Sequence, residues 1–181
     1  MRYFITLIII SSAFFMSKIF VANAETKPLM IEITQGVIKP MPIAISQLTA
    51  LGDTTPELVE EFMNIIKADL AGTGLFKVIP QSAHISSNVT FGSKINFSDW
   101  RAINTDALIT GTVSSAGDNF EIKFRLYDTF AQKELGQGYR YGGKRVLLRK
   151  MAHRISDEVY SRLSGEGPYF DSQVVYVSEE G

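Results

Sequence analysis

Hydrophobic residues recur at helical spacing in two long segments, so the pattern predicts two amphipathic helices. Thr54 and Glu57 have the three-residue spacing of a capping box, which places the start of the first helix there. Gly72 and Gly74 are expected to end it, and the second helix is expected over about 144–163. The buried stripes are Leu58, Phe62, Ile65, Ile66 and Leu70 in the first helix and Leu148, Met151, Ala152, Ile155, Val159 and Leu163 in the second.

Short apolar runs and one strictly alternating segment predict β-strands. Between Phe120 and Tyr127, apolar residues alternate with polar and charged ones, which indicates a strand with one buried and one solvated face. Several glycines weaken the segment 134–141 and indicate an edge strand or a bulge there. The remaining strands are predicted at 30–33, 43–45, 76–79, 107–113 and 173–177.

The order of these elements predicts an α/β domain in which a mixed sheet of about five strands packs with two long helices. The strand at 76–79 directly follows the first helix, which favours a βαβ-like unit with that strand beside an earlier one. Residues 46–53 and 81–95 are expected to form loops. Trp100 is expected to pack beneath a short helical turn at 98–103.

The first 24 residues have the pattern of a secretory signal peptide. Arg2 supplies the positive charge, residues 4–15 are almost purely apolar, and Ala22-Asn23-Ala24 is a cleavage site of the A-x-A type. We therefore expect cleavage between Ala24 and Glu25, and a mature chain that works outside the cytoplasm. The alternative is an uncleaved membrane anchor, although Lys18 interrupts the apolar run.

Composition narrows the possible classes of function. Removal of the signal peptide takes away Arg2 and Lys18, so 16 basic residues remain beside 19 acidic ones and the net charge is −3 with neutral histidines. This balance gives no support for nucleic-acid binding. The chain contains no cysteine, which excludes thiol catalysis, zinc–cysteine sites and lipid attachment to cysteine. The domain must therefore fold on its core without disulfide bonds.

Candidate catalytic groups are few. The chain has two histidines, which we interpret as a surface loop residue, His84, and a helix-flank residue, His153. Neither accompanies a G-x-S-x-G elbow or has the spacing of a metal-binding pair, so we expect no catalytic, cofactor-binding or metal-binding residues. An exported hydrolase or small-ligand binder is the alternative, and it would need a pocket that combines one of these histidines with a carboxylate.

The mature N-terminal segment, residues 25–36, is the main candidate contact surface because it is short and β-prone. Such a segment can add as a strand to the edge of a partner's sheet, where backbone hydrogen bonds supply affinity. The sequence supports equally a plain edge strand of the domain's own sheet. The candidate residues are Glu25, Thr26, Lys27, Pro28, Leu29, Met30, Ile31, Glu32, Ile33, Thr34, Gln35 and Gly36. A second candidate contact surface is the strand at 173–178, unless it pairs with the domain's own sheet.

A signal peptide and six further motifs follow one another along the chain. The six motifs are Ile31–Gly36, Lys39–Ile45, Ala68–Leu70 with Gly72–Phe76, Ala107–Gly111, Phe124–Asp128 and Ala152–Tyr160. In this order they resemble the TolB family, the periplasmic component of the Tol–Pal system. The resemblance covers essentially the whole mature chain, and the motifs at 31–45 and 152–160 carry most of it.

The resemblance implies an α/β amino-terminal domain followed by a six-bladed β-propeller. In the family, the N-terminal segment docks on the inner-membrane protein TolA, and the propeller docks on the lipoprotein Pal. Carried onto this chain, the TolA contact is Glu25 to Gly36, with the strongest match at 31–36. The implied function is to link the inner and outer membranes during cell division and envelope maintenance, as a periplasmic monomer without cofactors.

One departure from the family pattern concerns the end of the chain. Val174 to Glu179 looks like the family's first propeller strand, and the sequence stops at Gly181, whereas a blade needs about four strands. We therefore expect a domain over 25–167, a disordered or loosely paired segment over 168–181, and no Pal contact through a propeller. The chain would then be a fragment or a truncated form. An exported accessory protein of an outer-membrane secretion or lipoprotein assembly is the remaining alternative, and it predicts oligomers.

Overall fold

The computed structural model describes residues 33–34, 37–86 and 89–171. The helices are α1 (Pro56–Gly72), α2 (Phe97–Ala102) and α3 (Leu148–Ser164). The strands are β1 (Ile33–Thr34), β2 (Val37–Ile38), β3 (Met41–Ile45), β4 (Thr49–Gly52), β5 (Phe76–Ile79), β6 (Ala107–Ala116), β7 (Asn119–Asp128), β8 (Lys133–Glu134) and β9 (Tyr139–Lys144). Within these ranges no helix is long and apolar enough to cross a bilayer.

Seven of the strands form one mixed sheet. β3 lies between β5 and β6 and is parallel to both, so the strand after α1 returns beside an earlier strand as predicted. β7 is antiparallel to β6. β4 continues along β6 beyond β3, and β8 and β9 both pair with the far side of β7. The seven strands therefore occupy five positions across the sheet, and the predicted mixed α/β fold is confirmed.

The main core lies between one face of this sheet and the helices α1 and α3. Because side chains alternate along a strand, every second residue of β7 points to the helices, including Phe120, Ile122 and Phe124. Phe62 of α1 meets Phe120 edge to face, with ring centroids 6.1 Å apart. Burying each large apolar side chain contributes about 1.5–3 kcal/mol. The helix pair and the sheet thus stabilise each other through one apolar layer.

The start of α1 differs by one residue from the prediction. Thr55, not Thr54, is the N-cap, and its hydroxyl oxygen accepts a hydrogen bond from the Leu58 N–H at 3.3 Å. Thr54 instead donates its hydroxyl hydrogen to the Leu51 carbonyl oxygen at 2.6 Å. Pro56 explains the shift, because proline is favoured at the first helical position and the residue before it must then be the cap.

The segment 46–53, expected to be a loop, contains the strand β4, so that prediction is wrong in part. β4 is held by backbone pairing of Thr49–Gly52 with Thr112–Ser115, while its side chains are mostly exposed. Since no side-chain face of β4 enters the core, no alternating pattern marks it in the sequence. Gly52 has a φ of +64°, and a Cβ there would collide with the Ser115 carbonyl.

The segment 134–141 is not one continuous strand as predicted but is split between β8 and β9. Arg162 holds the intervening loop by donating to the Leu135 carbonyl at 2.6 Å and to the Gln137 carbonyl at 2.9 Å. Gly136 has a φ of +74°, and a Cβ there would lie 2.8 Å from the Arg162 guanidinium carbon. The glycines therefore mark a real interruption at the sheet edge, as their number suggested.

The second long helix starts later than predicted. Lys144 ends β9, and Arg145–Leu147 form a single 3₁₀ turn, so α3 begins at Leu148 rather than near 144. The helix ends as expected: Gly165 follows it with a φ of +78°, and its N–H donates to the Ser161 carbonyl at 2.9 Å.

The opposite face of the sheet is covered at one end by α2 and the preceding loop. Trp100 is fully buried there against the apolar surface of β3 and β6, which confirms its expected position. His84 lies against the Trp100 ring, with ring centroids 5.0 Å apart, and is half-buried. The interpretation of His84 as a surface residue is therefore wrong, because the loop folds its imidazole onto the indole.

A polar contact joins α1 to α3 at the edge of their apolar interface. Asp69 Oδ2 lies 2.8 Å from His153 Nδ1, and the two side chains are 13% and 21% exposed. The two residues are 84 positions apart in the sequence. Packing of the two helices therefore creates a pair that no local pattern indicates.

Burial lowers the pKa of His84 below its ordinary value of 6.5; the Ile79 carbonyl opposes this shift and Lys67 adds to it. Since the folded protein then resists protonation more than the unfolded chain does, the free energy of unfolding should fall as the pH is lowered through the ordinary value. Urea unfolding followed by fluorescence of Trp100, the single tryptophan, measures this between about pH 7.5 and 5.5. The fall should be smaller in His84→Gln, and identical pH profiles would contradict the assignment.

The Asp69–His153 pair should contribute cooperatively to the stability of the helix interface. Asp69→Ala and His153→Ala should each cost about 1–3 kcal/mol, because each leaves a mostly buried polar partner without its hydrogen bond. The double variant should cost about 1 kcal/mol less than the sum. Glu60→Ala, on the exposed side of α1, is the matched control. If urea unfolding shows that the loss in free energy of unfolding in the double variant equals the sum of the two single losses, the two groups do not interact.

Candidate interaction site

The described end of the N-terminal segment is half of a small β-hairpin. β1 pairs antiparallel with β2, with Ile33 opposite Ile38 and Thr34 opposite Val37. The predicted strand at 30–33 is thus described only at its last residue, and it extends to Thr34. The candidate residues 25–32, Gln35 and Gly36 lie outside the described residues.

The hairpin is separate from the main sheet among the described residues. β1 and β2 form their own two-stranded sheet, whereas the seven-stranded sheet begins with β3. Exposed Lys39 and Pro40 connect the two. The Met41 N–H donates to the Leu75 carbonyl at 2.8 Å, and β3 starts at that residue. Ile33 and Thr34 are therefore not an edge strand of the main sheet, which was the alternative to a partner-binding role.

Two carboxylates lie close to the point where the chain enters β3. Burial raises the pKa of Asp106; the charge of Lys39 opposes the shift and Asp128 adds to it. Asp128 is buried and accepts hydrogen bonds from the N–H groups of Phe130 at 2.9 Å and Ala131 at 2.7 Å. The Phe130 side chain, in the same turn, is 57% exposed. The Asp128 carboxylate is therefore engaged by the backbone of its own turn and is not open to a partner.

The hydrolase alternative can be tested against the surroundings of both histidines. His153 does have a carboxylate partner, Asp69, beside a groove of about 580 Å³ between α1 and α3. The groove is lined by Glu57, Glu60, Glu61, Asn64, Ile65, Ala68, Asp69 and Arg149, none of which carries a hydroxyl or thiol. Among the described residues, no hydrogen bond joins either imidazole to a hydroxyl group. The arrangement thus lacks the nucleophile that a hydrolytic triad needs.

The described residues also give no support for a metal-binding site. The described ranges contain no group of three or more histidine, aspartate or glutamate side chains placed to hold a metal ion. The histidines lie on opposite faces of the sheet, since His84 packs with Trp100 and His153 with α1.

The segment after α3 is more ordered than the sequence predicted. Residues 168–181 were expected to be disordered or loosely paired, but Tyr169, Phe170 and Asp171 donate their backbone N–H groups to Asp157. The prediction is therefore wrong for this part, because a single buried carboxylate holds it against α3. The strand expected at 173–177 lies outside the described residues.

Comparisons with known proteins identify a family. The sequence model of the TolB amino-terminal domain matches residues 29–135. The Tol-Pal system protein TolB of Cereibacter sphaeroides is 49% identical over 160 residues, which cover 88% of this chain and 36% of that protein. The TolB protein of Ruegeria sp. is 46% identical over 159 residues, again 88% of this chain and 36% of that protein. The chain thus spans about a third of the length of the curated relatives it matches.

A solved structure agrees with these sequences. The crystal structure of TolB from Acinetobacter baumannii superposes with a TM-score of 0.60 and 26% identity, over 80% of this chain and 33% of that one. The mixed sheet with α1 and α3 on one face is therefore a fold that a solved TolB protein shares. The chain belongs to the TolB family of Tol-Pal system proteins, and its match is to the amino-terminal domain.

Proposed function

We propose that this protein acts in the periplasm as an interaction component of the Tol–Pal system and binds the inner-membrane protein TolA through residues 25–36. The contact would help to couple the inner and outer membranes during outer-membrane invagination in cell division and in envelope maintenance. The globular domain serves as a rigid platform, and no residue performs chemistry.

The observation that carries this proposal is the separation of the hairpin from the main sheet. Within the part of the chain that the structure describes, β1 pairs only with β2, and the strands of the main sheet start at Met41. Ile33 and Thr34 can therefore pair with a partner without removing a strand from the seven-stranded sheet. The relatives named Tol-Pal system protein TolB support the choice of system, and the family resemblance supports TolA as the partner.

Strand addition to a TolA sheet edge is the mechanism that fits the sequence of the segment. In an extended strand, Ile31 and Ile33 point to one side and Glu32 and Thr34 to the other. Backbone hydrogen bonds would supply much of the affinity, and the two isoleucines would bury apolar surface against TolA. The polar pair would remain at the solvated side of the added strand.

A Pal contact is not part of the proposal. The described residues contain no blade of a β-propeller, and the family resemblance assigns Pal binding to the propeller. Pal would be a partner only where the propeller is present, and the partner proposed for residues 25–36 is TolA, bound by a monomer.

Calorimetric titration with the C-terminal domain of TolA tests the contact. The chain starting at Glu25 should bind, and the chain starting at Val37 should lose at least about tenfold in affinity, because it lacks the donated strand. Circular dichroism of both chains checks that the shorter one is folded. Equal affinities would place the contact on the globular domain, and no binding by the folded longer chain would refute the proposal.

Two matched variants test the strand geometry itself. Replacing Ile31 and Ile33 together with alanine should weaken binding by about tenfold or more, because apolar contacts with TolA are lost. Replacing Glu32 and Thr34 with alanine should change the affinity by less than about threefold. Equal losses from both pairs would contradict a strand with one buried face.

Export is tested by the mass of the protein recovered from the periplasm. Cleavage between Ala24 and Glu25 predicts a chain that begins at Glu25. Replacing Ala22 and Ala24 with bulky residues should leave the precursor uncleaved, because the signal peptidase site needs small side chains. Recovery of the wild type as an uncleaved chain in the inner-membrane fraction would favour the membrane anchor instead.

A further inference from the structure

The chain turns back on itself after α3. Gly165 adopts a left-handed conformation at the end of the helix, and the following residues run back along α3. We name residues 165–171 the strap. Its end lies beside Arg154 and Asp157, which precede the helix end by about two turns or more. The strap thus reverses the chain direction and brings Asp171 to the middle of α3.

One side chain accepts three consecutive backbone hydrogen bonds from the strap. Asp157 Oδ1 accepts from the N–H of Tyr169 at 2.5 Å and from that of Phe170 at 2.6 Å. Asp157 Oδ2 accepts from the N–H of Asp171 at 3.1 Å. Successive N–H groups that converge in this way form a concave site for an anion. In this protein the Asp157 carboxylate occupies that site.

The other contacts of the strap are more exposed. Arg154 pairs with Asp171 at 3.2 Å, but the two side chains are 52% and 29% exposed. Tyr160 contacts the rings of Phe170 and Tyr169, with centroids 5.9 Å and 6.2 Å apart, and Tyr169 is 64% exposed. Asp157, by contrast, is only 7% exposed. Solvent screens the ion pair far more than it screens the hydrogen bonds to Asp157.

We propose that Asp157 is the anchor that docks the strap on α3 and thereby sets the direction in which the chain leaves the domain. Hydrogen bonds to an ionised acceptor are about twice as strong as neutral ones, and three of them converge on one buried carboxylate. The aromatic contacts add apolar area but fix no direction, since rings can pack at many angles. The backbone hydrogen bonds fix both the position and the orientation of residues 169–171.

The strap also forms one wall of a groove. Pro168 and Asp171 face Tyr141 of β9 and Ser161 of α3 across a space of about 440 Å³. Release of the strap would open this groove and expose Tyr160. The TolB relatives are almost three times as long as the matched region. In proteins of that length, the direction of the strap would orient the segment that follows the domain.

Amide hydrogen exchange measured by NMR on the full chain tests the anchor. In Asp157→Asn, one carboxylate oxygen is replaced by an amide NH₂ group. This group donates hydrogen bonds and cannot accept one from the backbone N–H groups of the strap. The amides of Tyr169, Phe170 and Asp171 should then exchange at least about tenfold faster, while amides in the middle of α3 keep their protection. Unchanged exchange of the three strap amides would overturn the proposal.

Two further variants keep the test decisive if Asp157→Asn fails to fold. Phe170→Ala removes aromatic packing, and Arg154→Gln removes the exposed ion pair, while both leave the carboxylate in place. If Asp157 is the anchor, exchange of the amides of residues 169 and 171 should rise by less than about threefold in each variant. Full release of the strap by either change would show that the replaced side chain, not Asp157, holds it.

Discussion

The structure depends on one apolar layer between the helix pair α1 and α3 and one face of the sheet. The chain has no cysteine, so no disulfide supplements this layer. Phe62, Phe120 and Ile122 are almost completely buried within it. Because α3 is fixed by this packing, its outer surface can hold the strap through Asp157. Among the residues that the structure describes, β1 and β2 make no pairing with the main sheet, so they can contact a partner without weakening the layer.

Elements with a one-sided hydrophobic pattern could be predicted from the sequence. The stripes of α1 and α3 and the alternation in β7 report burial directly, and the structure places those residues in the core. β4 could not be predicted, because only its backbone is engaged and its side chains are exposed. The interruption between β8 and β9 was visible as glycines, but its cause is Arg162, which comes 26 residues after Gly136.

The candidate contact segment and the buried polar contacts also differ in how far the sequence predicts them. Residues 25–36 remain a predicted contact that rests on their β-prone composition and the family resemblance, both of which are local properties of the sequence. The Asp69–His153 pair depends on the packing of two helices. The hydrogen bonds from the strap to Asp157 depend on a reversal of the chain. No rule of sequence spacing predicts either contact. The one signal for the strap was Gly165, which indicates that the helix stops but not where the chain goes next.

The separation of the N-terminal segment from the core is tested most directly by equilibrium urea unfolding of two chains. One chain starts at Glu25 and the other at Val37. If the core begins at Met41, their free energies of unfolding should agree within about 1 kcal/mol. A loss of about 3 kcal/mol or more in the shorter chain, or its failure to fold, would show that residues 25–36 belong to the fold and are not free to bind a partner.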